Sequence, residues 1–74
     1  MSGELDRLHE LDRQIAGQRE LVIQQKRLIT DMLRERRNAI GSMGLLRELE
    51  HSLQVMSDHR ALIARRLKRV TTSR

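Results

Sequence analysis

From Glu4 to Arg37 the apolar positions return at helical spacing. Leu8, Ile15, Val22 and Ile29 stand seven apart, with Leu11 and Met32 at the complementary positions. Together they make a heptad seam, the stripe by which one helix packs along another. Leu21, Leu28 and Leu33 widen it on its flanks. Two seam positions are polar, Gln18 and Gln25; amides there are either tolerated or specify register and oligomeric state. The pattern predicts a first helix over about residues 4–37.

The second stripe is more regular. Leu46, Leu49, Leu53, Met56, Arg60, Ile63, Leu67 and Val70 step by three and four, and only Arg60 among them is polar. This spacing predicts a second helix over about residues 44–70. The Arg60 stem can pack in the seam with its head in water, or the guanidinium can pair inward. Leu45, Val55 and Leu62 lie off the line and form a narrower apolar flank, a surface for a further neighbour.

The chain contains no Pro, so its helix ends must be read from Gly, Asn, Ser and the periodicity. The stretch Arg36-Arg37-Asn38-Ala39-Ile40-Gly41-Ser42-Met43-Gly44 separates the stripes and puts a turn within 37–44. Asn38 or Ser42 can cap the second helix, and Gly41 can end the first in the left-handed conformation, so the bend centres near Arg37 or near Gly41. Gly17 sits inside the first helix, where it costs about 1 kcal/mol relative to Ala and leaves room for a close helix crossing. Residues 71–74 are expected to fray.

Charge orients the two helices. Residues 1–20 carry a net −2, residues 21–37 a net +3, residues 38–58 a net −2 and residues 59–74 a net +6. In an antiparallel hairpin the acidic start of each helix lies beside the basic end of the other. Acids near a helix N-terminus and bases near its C-terminus also complement the macrodipole. Each surface pair contributes only about 0–1 kcal/mol, but the pattern disfavours parallel alignments. The expected fold is therefore all-α: an antiparallel, coiled-coil-like two-helix hairpin forming one domain over residues 1–74. Helices of this length are about 45 Å long, and a lone pair leaves the flanking Leu residues wet. Two hairpins packed face to face would bury them, so a dimeric four-helix bundle is the leading expectation. An open hairpin docked on another protein is the second.

Composition narrows the function classes. The chain has 74 residues, 38% of them hydrophobic, with no Phe, Tyr, Trp or Cys. So short a chain rarely supplies a self-sufficient core and usually needs disulfides, a metal or oligomerisation. The lack of Cys removes disulfides and thiolate zinc sites, and fits a cytoplasmic location. No apolar run approaches the roughly 18–20 residues of a membrane span, and the N-terminus lacks a signal-peptide layout.

No catalytic constellation is present, and no enzyme activity or cofactor is expected. The serines have no His and acid at recognisable spacing, and Gly41-Ser42-Met43-Gly44 lacks the spacing and the Lys of a phosphate loop. Glu48 and His51 form a Glu-x-x-His step of the kind bundle metal sites use. Both fall away from the Leu46, Leu49, Leu53 seam, so they are expected in solvent, and no metal is expected. The cluster Arg65, Arg66, Lys68 and Arg69, joined by Arg60 and Arg74, is the candidate phosphate-contacting surface in a chain of pI about 11.3. No aromatic side chain is present to stack on a base, and the basic segment follows the stripe where a basic zipper would precede it. Nucleic acid is thus an alternative partner, not the favoured one.

The runs Ile15-Ala16-Gly17-Gln18-Arg19-Glu20-Leu21-Val22 and Leu45-Leu46-Arg47-Glu48-Leu49-Glu50-His51-Ser52-Leu53, with His59-Arg60, resemble segments of short uncharacterised alphaproteobacterial proteins. The resemblance covers about a third of the chain. It implies a small helical hairpin and no particular activity. The Gly-His-Asp-Thr type turn of those proteins is missing here.

The expected function is a non-enzymatic protein–protein interaction module, a small homodimeric regulatory or adaptor protein. Its interaction seam is Leu8, Leu11, Ile15, Val22, Ile29, Met32, Leu46, Leu49, Leu53, Met56, Ile63 and Leu67. The sequence does not name a protein partner, and no membrane association is expected.

Overall fold

The computed structural model describes residues 3–72. They form two long helices, α1 (Gly3–Arg34) and α2 (Ile40–Thr72), packed side by side and joined by a short turn. Cross-helix pairs such as Asp12 with Arg60 and Lys26 with Glu50 set the helices antiparallel. The expected hairpin is the observed fold. It is a rod, 61 × 15 × 13 Å, with a radius of gyration of 17.1 Å where a compact globule of this length would have about 11 Å.

The turn lies earlier than the Gly-rich stretch suggests. It occupies residues 35–39, and Ile40 through Gly44 are already helical. Gly41 does not end α1; Arg36 does, with φ at 59°. The Arg37 amide donates to the Met32 carbonyl at 2.7 Å and the Arg36 amide to the Leu33 carbonyl at 3.0 Å. This is the Schellman pattern, which satisfies the last carbonyls of a helix and usually recruits Gly at the left-handed position. Asn38 then caps α2 by accepting the Ile40 amide at 3.0 Å, an Asx turn, and Ser42 does not cap. Once that cap is made, Ile40–Gly44 run as helix although Gly41 and Gly44 are poor helix formers. α2 also runs through Thr72, so Thr71 and Thr72 extend the helix, while Ser73 and Arg74 lie outside the described residues.

The core is the predicted seam, filled unequally. On α1, Leu8, Leu11, Ile15, Val22 and Ile29 are buried and Met32 is partly so. On α2, Ile63 is buried beside Leu8 and Leu11, with Ala64 and Leu67 packed against them. Leu46, Leu49, Leu53, Met56 and Leu67 are only half-buried, and Val70, last in the stripe, is 67% exposed. Among the described residues no side chain is fully enclosed. One helix can cover only one stripe of another, and an a/d stripe is narrower than the apolar surface α2 presents.

Candidate functional site

Heptad positions sort the remaining side chains onto two faces. With Leu8, Ile15, Val22 and Ile29 at a, residues Leu11, Gln18, Gln25 and Met32 are d. On α2, Ala39, Leu46, Leu53, Arg60 and Leu67 take a, and Ser42, Leu49, Met56, Ile63 and Val70 take d. In an antiparallel pair the e positions of both helices flank one side of the seam and the g positions flank the other.

The seam itself is pinned by amides. Gln25 is 9% exposed, and its Nε2 donates to the Ser42 carbonyl at 2.9 Å. Gln18 Nε2 donates to the Leu49 carbonyl at 3.1 Å. The Ser42 hydroxyl in turn meets Met32 Sδ at 3.3 Å. Both glutamines thus reach across the seam to the backbone of the facing helix, so neither amide is left unpaired there. Ala39, 4% exposed, and Ser42 belong to the seam although the stripe was read only from Leu46. The signal was present: they continue its steps of three and four backwards.

The e face is ion-paired. Arg60 Nε donates to Asp12 Oδ1 at 2.7 Å, with a longer contact of 3.4 Å from its NH2 group to Oδ2. The Arg60 guanidinium thus pairs across the helices. Its hydrogen bond lowers the Asp12 carboxyl from its ordinary value, against the opposing effect of desolvation, and raises Arg60. One heptad pair further, Lys26 Nζ lies 3.9 Å from Glu50 Oε2. Leu5, Leu33 and Met43 are exposed e positions, and they stand at the two ends of this face.

The g face is apolar along its middle. Leu21 and Leu28 on α1 and Leu45 on α2 are g positions, and Val55 and Leu62 are c positions next to them. All five are 46–56% exposed. Toward the open end of the hairpin this face becomes basic. Glu4, Arg7, His59, Leu62, Ile63 and Arg66 line a shallow depression of about 340 Å³. Leu62, Arg65, Arg66 and Arg69 line another of about 180 Å³. Arg65, Arg66 and Arg69 of the candidate phosphate-contacting set thus border Leu62 at this end, while Lys68 lies further round the helix. Glu48 and His51 are both exposed and, among the described residues, no three His, Asp or Glu side chains are placed to hold a metal ion. Gly17 is not at a helix crossing within the hairpin, because a Cβ there would meet nothing within 4 Å.

No protein-family model, curated protein or solved structure matches the chain. Among the described residues no helix is long and apolar enough to cross a membrane.

Proposed function

We propose that the chain is a non-enzymatic helical interaction module, a small regulatory or adaptor protein of the cytoplasm that works as a homodimer. The observation that carries this is the g face. Leu21, Leu28, Leu45, Val55 and Leu62 remain about half exposed on one side of a rod whose seam is already paired. Large apolar side chains gathered on one exposed face mark a place where another protein docks. The half-buried Leu49, a d position bordering that face, supports it, because a second layer would complete its burial. Two hairpins stacked on these faces form the four-helix bundle that the sequence pattern favours.

Light scattering tests the reading directly. At micromolar concentration the mass should be twice the 8.7 kDa of one chain, and the melting temperature should rise with concentration. A monomer with cooperative, concentration-independent melting would overturn it.

A second function is favoured by one observation, the Arg65, Arg66 and Arg69 cluster beside Leu62. It would contact the phosphates of a nucleic acid. Binding to mixed RNA or duplex DNA that weakens steeply with salt distinguishes it, because phosphate neutralisation releases counterions.

A further inference from the structure

We propose that the g face is closed by a second copy of the chain in one register. The two-fold axis passes between Leu53 and Gln54 of α2 and through the level of Arg19 of α1, and each helix pairs antiparallel with its own counterpart. This rests on the self-association proposed above and specifies its geometry.

The α2 surface stripe is self-complementary about that point. Its g and c positions read Leu45, Glu48, Ser52, Val55, His59 and Leu62 in order. Turned about the axis, Leu45 meets Leu62 of the partner subunit, and Ser52 meets Val55 of the partner subunit. Glu48 then faces His59 of the partner subunit. Large apolar residues meet at both ends, a small residue meets a β-branched one at the centre, and an acid meets an imidazole between them. A two-fold interface is isologous, so each contact occurs twice. In a parallel pairing the same stripe would set Glu48 against Glu48 of the partner subunit and Arg66 against Arg66 of the partner subunit, which like-charge repulsion disfavours.

The α1 stripe is compatible with the same axis. Its g and c positions include Arg7, Gln14, Gly17, Leu21, Gln24 and Asp31. About Arg19, Arg7 faces Asp31 of the partner subunit, Gln14 faces Gln24 of the partner subunit, and Leu21 faces Gly17 of the partner subunit. The open space above Gly17 is where that Leu would lie. Leu28 is the least matched position, set against the methylenes of Glu10 of the partner subunit.

Asp12 pairs with Arg60 within the hairpin; seven residues onward on α1 and seven back on α2, Arg19 stands level with Leu53. One two-fold axis therefore serves both helices. Area agrees with this. The chain exposes 6105 Å², whereas a compact monomer of 8.7 kDa would expose about 4,700 Å². The excess exceeds the roughly 800 Å² per partner of a standard interface.

A charge-swap cycle tests the register. Glu48 and His59 are eleven residues apart on one straight helix, about 16 Å, so they cannot compensate each other within a chain. Glu48→Lys and His59→Glu should each weaken the homodimer roughly tenfold by sedimentation. The double variant should return to within about threefold of the starting affinity. Mixing the two single variants should give heterodimers in preference to either homodimer. Because the chain has no Cys, Ser52→Cys and Val55→Cys chains mixed under oxidation should form the mixed disulfide ahead of either homodisulfide. A dimer that shows no recovery, and in which Ser52→Cys links to itself, would overturn this register while leaving self-association intact. A folded monomer throughout, by circular dichroism and sedimentation, would overturn both and assign the face to a different protein.

Discussion

The two faces of the hairpin are built on the same helices but are completed to different degrees within one chain. On the e face, Asp12 with Arg60 and Lys26 with Glu50 join α1 to α2, and their charged groups remain in contact with water. The exposed apolar side chains of its e positions, Leu5, Leu33 and Met43, stand toward its ends. On the g face the corresponding middle positions are Leu21, Leu28 and Leu45, with Val55 and Leu62 beside them, and the hairpin has no third element to cover them. A charged flank is finished by two helices because water solvates its outer side, whereas an apolar flank is finished only by another surface. The difference separates the side that is ion-paired within the chain from the side on which we propose that a second copy docks.

The largest expected effect tests the seam both faces share. Ile63, 4% exposed against Leu8 and Leu11, should lose about 2–5 kcal/mol on truncation to Ala, measured by urea unfolding. Leu53→Ala should cost less within one hairpin, since Leu53 is only half-buried there. Equal costs would mean that the dimer already buries Leu53.

The next sets one face against the other. Leu62→Glu should leave helicity unchanged and weaken self-association roughly a hundredfold, because two apolar side chains, one from each copy, lose their burial. The matching change on the e face, Ser57→Glu, should leave association within about threefold of the starting chain. Sedimentation equilibrium of the two variants would erase the distinction between the faces if both dissociated alike.

Smaller again is the turn, which belongs to neither face. Arg36 holds a left-handed φ of 59°, which costs a side-chain-bearing residue about 1–2 kcal/mol. Arg36→Gly relieves that strain but frees the unfolded chain, and should stabilise by about 0.5–1 kcal/mol net. A lower unfolding midpoint would show that the Arg36 side chain contributes more than its backbone costs.

The smallest effect sharpens the e face. Asp12 has its pKa lowered in the folded chain by Arg60, so its stabilisation is present above the unfolded carboxylate value and is lost as pH falls through the carboxylate range. The pair is exposed, so the step should be slight and should shrink further at high salt. Melts of Asp12→Asn against the starting chain between pH 2 and pH 6 should differ above pH 4 and converge below it, since about 3.9 is the unperturbed Asp value.

Much of this was legible in the sequence because it depends on periodicity. Leu8 through Ile29 and Leu46 through Leu67 repeat every seven residues over several heptads, and no other regular structure matches that spacing. The charge blocks added the antiparallel sense, which depends on position along the chain alone. Flank residues were also legible, since Leu45, Val55 and Leu62 fall off the stripe by counting. Gly41 misled because its left-handed freedom is only a preference, and the backbone bonds of Arg36 and Arg37 to Leu33 and Met32 decided the matter instead.

The sequence by itself determined two helices, their relative direction and which side chains could share a stripe, all properties of short-range repetition. Only the tertiary structure decided the offset between the helices. That offset depends on bonds between residues distant in the chain: Gln25 to Ser42, Gln18 to Leu49, and Arg60 to Asp12. It also decided that α1 buries its seam while α2 keeps its own half open, because coverage depends on how wide each stripe is relative to the one helix facing it. From the offset comes the alignment of Arg19 with Leu53, the level at which the proposed two-fold axis crosses both helices.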